Sequence, residues 1–135
     1  MSGRRLVDTN LIVRHLTQDH PKHAAIAGKL FSACDRGEVT LIILPTVLAE
    51  CVFVLESFYN RSPADINHAL GSLISSPGVE IDSRSVHLDA LERYAKSNLH
   101  FVDCTIAAAA AASGASVATF DAGLRKFADV RVELH

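Results

Sequence analysis

The stretch Val39-Thr40-Leu41-Ile42-Ile43-Leu44 is rich in β-branched and apolar residues without strict alternation, and Pro45 stops it. A strand with apolar side chains on both faces needs cover on both, which a parallel sheet flanked by helices supplies. The rest of the chain is punctuated in the same sense. Residues 5–7 predict a short strand ending at Asp8, with Thr9 or Asn10 capping a helix that begins Leu11-Ile12-Val13. Pro21 suits the first turn of a helix over 24–34, which Gly37 stops. Thr46 caps a helix through residue 58, Ser62-Pro63-Ala64-Asp65 starts another, and Pro77-Gly78 closes it. A brief strand over 79–81 is followed by an amphipathic helix over 84–96 and an alanine-rich helix over 103–113 ended by Gly114. Strands over 116–120 and, at an edge, 130–132 complete the series. This βα alternation predicts an α/β fold, a mostly parallel central sheet with helices on both faces.

With 135 residues and 49% hydrophobic content, the chain has the size and the apolar material for a single domain spanning 1–135. No apolar run approaches the roughly 18–20 residues needed to span a bilayer, and Met1-Ser2-Gly3-Arg4-Arg5 leads into a segment too short for a signal sequence. A cytoplasmic protein without membrane association is expected. Cys34, Cys51 and Cys104 have no CxxC spacing and read as reduced, buried thiols. The net charge of −2 does not advertise a nucleic-acid binder. Neutralising four acids with metal would leave the surface balanced to slightly basic, and a bound cation can itself meet a phosphate.

Four acids have that character. Asp8, Glu50, Asp103 and Asp121 each stand alone in an apolar or uncharged run, with no Lys or Arg adjacent except Arg125, a turn beyond Asp121. A carboxylate drawn into an apolar interior costs several kcal/mol unless something positive meets it. Asp8 and Asp121 fall at the carboxyl ends of predicted strands, Asp103 opens a helix, and Glu50 lies a turn or so into one. Ligands of open α/β sheets bind outside those strand ends. Convergence of the four on a divalent cation is the economical expectation. All-oxygen ligation, with no His or Cys at a recognised ligand spacing, favours Mg²⁺ or Mn²⁺ over Zn²⁺ and suits phosphodiester hydrolysis.

The segments Val7-Asp8-Thr9-Asn10, Glu50 in a helix after an apolar strand, Phe101-Val102-Asp103-Cys104-Thr105-Ile106-Ala107 and Ala118-Thr119-Phe120-Asp121 resemble, in order and spacing, the four motifs of PIN-domain nucleases. The short length and the stretch Val13-Arg14-His15-Leu16-Thr17-Gln18-Asp19-His20-Pro21 look like the bacterial VapC-like toxins of toxin–antitoxin pairs. The resemblance covers essentially the whole chain. It implies a three-layer α/β/α sandwich, a Mg²⁺- or Mn²⁺-dependent endoribonuclease acting on RNA, a homodimer, and neutralisation by a cognate antitoxin protein.

On that reading Asp8, Asp103 and Asp121 ligate metal, and Glu50 ligates metal or positions the attacking water as general base. Capping is the plainer role for each aspartate, though not for a mid-helix Glu50. Thr9, Asn10 and Thr119 resemble the family's polar groups around the acids, with helix or turn capping as their alternative. Arg14, Arg125 and Lys126 can meet RNA phosphates or serve as ordinary surface charges. Phe53, Val54, Phe58 and Tyr59 exceed what one buried stripe requires; they form either a core helix or, with the helix over 64–73, a groove for an antitoxin segment. A haloacid-dehalogenase-like phosphatase also uses Mg²⁺ and strand-end acids, but it needs a second Asp where this chain has Asn10. A non-catalytic module on the same fold would be expected to have lost some of the acids, and none is lost.

Overall fold

In the computed structural model, which describes residues 3–135, a first strand β1 (Gly3–Leu6) pairs in parallel with β2 (Val39–Ile42), from Gly3 opposite Val39 to Leu6 opposite Ile42. On its other side β2 pairs in parallel with β3 (Val79–Glu80). The double-faced run therefore forms the middle strand. Val39, Leu41 and Ile43 are buried, and each connection between strands is helical, as parallel pairing demands. These elements belong to the first of two compact units, which ends at Asp82; the second begins at Ser83.

The first unit carries α1 (Thr9–Thr17), α2 (Pro21–Asp35), α3 (Pro45–Ser57) and α4 (Pro63–Ser75). Pro21, Pro45 and Pro63 all sit at helix starts, where the missing N–H is no loss. Ser62 accepts from the Asp65 N–H, the cap expected of it. At α3 the cap position falls to Leu44 rather than Thr46, because the helix begins at the proline itself. Ile12, Phe31, Leu48, Ile66 and Leu70 of these helices are buried, as are Val39 and Leu41 of β2. Gly78 lies against the end of α2 so closely that a Cβ there would stand 2.6 Å from the Cys34 carbonyl and thiol, so no other residue fits.

The second unit contains α5 (Arg84–Ser97), α6 (Phe101–Ser113), β4 (Val117–Thr119), a 3-10 turn (Ala122–Lys126) and β5 (Val132–Leu134). Gly114 ends α6 in the left-handed conformation, φ +78°, that favours glycine. Strand β5 pairs in parallel with β4 and starts two residues later than the sequence predicts. Val130 is instead a core residue, packed with Ala107, Ala110, Val117 and Leu124. The alanine run thus lets α6 lie close on its own unit's core. Arg93 clasps the carboxyl-terminal segment: it bonds Asp89 at 3.0 Å and Asp129 at 2.9 Å, and its guanidinium stacks 4.9 Å from the centre of the Phe127 ring.

Among the described residues, six α-helices with parallel pairing in both sheets make this the α/β class expected. All three cysteines are free and buried. Among the described residues, no helix is long and apolar enough to cross a membrane.

Candidate active site

Strand β1 ends at Leu6, and two residues later Asp8 turns the chain into α1. Its backbone is extended and its Oδ1 accepts the Leu11 N–H at 2.9 Å, so the acid itself is the cap expected of Thr9 or Asn10. A carboxylate in this position answers both the unpaired N–H groups and the positive end of the helix. The same construction recurs in the second unit. Strand β4 ends at Thr119, and Asp121, two residues on, accepts the Gly123 N–H through Oδ1 at 2.9 Å. Thr119 Oγ1 accepts the Asp121 N–H at 3.0 Å and fixes that turn. Capping and ligation are therefore compatible here, because each aspartate uses one oxygen and keeps Oδ2 without a partner among the described residues.

Glu50 rises from the sixth position of α3, the helix that leaves the same end of the sheet as Asp8. The buried thiol of Cys51 feels the charge of both. Burial first, then the charges of Glu50 and Asp8, push its thiol up to about 12. A thiol so protected is inert at neutral pH.

In the second unit Asp103 lies in the first turn of α6, three residues after the capping position, which His100 holds. Capping as such does not explain it. The neighbouring Cys104 is buried against Ser97, 3.7 Å away, and its thiol is raised by burial first and also by the Asp103 charge.

The expectation that the four acids are buried is not met. Asp8, Glu50 and Asp121 are exposed and Asp103 is half-buried; their apolar sequence neighbours, such as Val7, Cys51, Cys104 and Leu124, turn inward. A helix or turn separates adjacent residues onto different faces, so lone charges in apolar runs need not be desolvated. The case for a metal rests on donor chemistry instead. Asp8 and Asp121 offer one unpartnered oxygen each, and neither Glu50 nor Asp103 has a hydrogen bond or ion pair among the described residues. Within either unit, no three His, Cys, Asp or Glu side chains of the described residues form a preformed metal cage. Mg²⁺ does not need one: it is held by one or two carboxylates, keeps several waters, and takes further oxygens from phosphates. The residues fit such an ion.

Other candidate positions divide. Thr9 is buried at the start of α1, whereas Asn10 is exposed beside Asp8. Arg14 donates to both oxygens of Asp19 from Nη1 at 3.2 Å. Lys126 donates to the Ser97 carbonyl at 2.9 Å, while Arg125 is exposed with no partner among the described residues. Phe53 and Phe58 are 61% and 72% exposed and meet edge to face, Val54 is half-buried, and Tyr59 bonds Asp19. His23, which by its sequence belongs to a solvated helix start, lines one cavity with Asn10 and Arg14, and its ring stacks on that of His20 3.7 Å away. Their i, i+3 spacing after Pro-flanked polar sequence was visible, but a shared ring face was not.

Comparison with known proteins adds one match. The family model described as PIN domain fits residues 5–130, running through both units. No curated protein matches the sequence.

Proposed function

Because the chain belongs to the PIN domain family, whose members are generally nucleases, we propose that it is a Mg²⁺- or Mn²⁺-dependent endoribonuclease and the toxin of a toxin–antitoxin pair. The observation that carries the catalytic part is Asp8: just past the end of a parallel strand, held by the Leu11 N–H through one oxygen, it keeps the other oxygen free at the end of the sheet from which α3, the helix of Glu50, also leaves. Asp8, Asp103 and Asp121 are the metal ligands of this reading. A divalent ion held by them would supply positive charge for the scissile phosphate and the leaving oxygen. Glu50 takes the proton from the attacking water, whose oxygen bonds to phosphorus as the bond to the departing ribose oxygen breaks. Thr119 holds Asp121 in place, and Asn10 lies ready to hydrogen-bond the strand. Arg125, the unpartnered cation of the 3-10 turn, meets a phosphate and positions RNA without specifying its sequence.

The toxin reading draws support from the two exposed, mutually packed phenylalanines Phe53 and Phe58, large apolar side chains of the kind that become anchors for a partner helix. With Val54 and Tyr59 they form the antitoxin-binding face, and the active toxin is a homodimer. Purified protein should cleave single-stranded or loop RNA with Mg²⁺ or Mn²⁺ and not in excess chelator, and the Asp103→Asn form should be inactive. Equal cleavage in chelator would overturn the mechanism. Expression alone should arrest growth and co-expression with an adjacent antitoxin gene should relieve it; absence of arrest by an active enzyme would overturn the toxin role alone.

A further inference from the structure

In the second unit, Phe120 leaves 90% of its surface uncovered, more than any other large apolar residue described. The other five phenylalanines are accounted for: Phe31 and Phe101 are buried, Phe53 and Phe58 meet edge to face, and Phe127 lies under the Arg93 guanidinium. Phe120 has no ring or cation contact among the described residues. Its backbone is nonetheless fixed. Strand β4 ends at Thr119, whose carbonyl accepts the His135 N–H at 3.0 Å and whose Oγ1 accepts the Asp121 N–H at 3.0 Å, so Phe120 is the apex of a turn clamped on both sides. Asp121 in turn accepts the Gly123 N–H at 2.9 Å. A few positions on, in the 3-10 turn that Asp121 caps, Arg125 is exposed with no partner among the described residues.

We propose that Phe120 is a stacking platform for one nucleobase of single-stranded RNA, beside the phosphate cut at Asp121; the proposal rests on the nuclease reading above. Every base has a π face, so a platform for it needs an open aromatic ring and a cation that meets the backbone, and no polar rim. Phe120 and Arg125 supply those two parts. The ring's immediate neighbour, its Cα about 3.8 Å away, is Asp121, a metal ligand in that reading, so the chain itself sets the base next to the reacting phosphate. The clamped turn favours the same occupant, because a ring on an ordered backbone loses little freedom when a flat partner stacks on it. A protein anchor sits within a wider apolar surface. Phe120 is flanked instead by the hydroxyl of Thr119, the carboxylate of Asp121 and the small Ala122.

The chain contains no tryptophan, so Phe120→Trp places a single emitter at the ring position. The full-length variant is titrated in chelator with a short single-stranded RNA and with an abasic ribose-phosphate oligomer of the same length, while anisotropy of labelled RNA gives the affinities of the parent, Phe120→Tyr and Phe120→Leu. The RNA should quench the emission to saturation, and the abasic oligomer should leave it unchanged. Phe120→Tyr should bind like the parent. Phe120→Leu, which keeps apolar bulk without a π face, should bind about tenfold more weakly with the parent's melting temperature and salt dependence. No RNA binding by the parent, binding without quenching, or equal affinities of Phe120→Leu and the parent would overturn the platform; a loss confined to the complex with a co-expressed antitoxin would overturn it in favour of a protein anchor. Quenching and ring-dependent binding without cleavage in Mn²⁺ would instead overturn the nuclease reading and leave the platform standing.

Discussion

Tyr59 donates its hydroxyl hydrogen bond to Asp19 Oδ2 at 2.6 Å, joining residues 40 positions apart. Through it the chain just beyond α3 is tied to the turn between α1 and α2, where Thr17 Oγ1 (2.9 Å) and Arg14 also bond Asp19. The Tyr59 bond, with those from Thr17 and Arg14, holds the Asp19 carboxyl down at about 2. A carboxylate lower in the folded state than its unfolded value near 3.9 contributes stability that is present above that value and lost as pH falls towards about 2.

Tyr59→Phe should therefore melt below the parent at neutral pH, and the gap should close as pH drops from about 4 to about 2. Melting curves across that range check it. A constant gap would mean that the hydroxyl acts through packing and not through the Asp19 charge.

The dual use of Asp8 can be separated by two substitutions. Asp8→Asn keeps an oxygen for the Leu11 N–H but removes the charge, so stability should stay close to that of the parent while cleavage falls at least about tenfold to a hundredfold. Asp8→Ala removes both and should in addition lose about 1 kcal/mol of stability. Denaturant unfolding together with cleavage rates distinguishes the two.

The basic residues of the 3-10 turn should part in the same way. Lys126 supports the last turn of α5 through the Ser97 carbonyl, so Lys126→Ala should lower stability by about 0.5–1 kcal/mol. Arg125→Ala should leave the melting temperature unchanged, weaken RNA binding, and flatten its salt dependence by roughly one phosphate contact. Affinity measured between low and moderate salt decides this.

Much of the fold follows from local chemistry. Proline at helix starts, Ser62 as a cap and Gly114 as a left-handed stop act within a few residues and are found where the pattern predicts, whereas β2 ends at Ile42, two residues short of the predicted Leu44, and is buried at Val39 and Leu41 but only half-buried at Thr40 and Ile42. What depends on tertiary placement was not legible. The four acids read as buried because their neighbours are apolar, yet turn and helix geometry leaves Asp8, Glu50 and Asp121 exposed and Asp103 half-buried. Asp8 displaced Thr9 as the cap because the strand ends a residue earlier than the pattern suggests. Arg14, Lys126 and Tyr59 found partners 5, 29 and 40 positions away, and the His20–His23 stack depends on ring orientation, which no spacing encodes.

The central claim is that Asp8, Glu50, Asp103 and Asp121 serve one metal-dependent cut in RNA. Residues that act as a unit give non-additive losses when removed together. The direct measurement is single-turnover RNA cleavage in Mg²⁺ by the parent, Asp8→Asn, Asp121→Asn and the double variant, with a chelator control. The account predicts at least about a tenfold loss for each single variant, a double variant no slower than the worse of the two, and no cleavage in chelator. Parent-like rates in either single variant, or cleavage that persists in chelator, would contradict it.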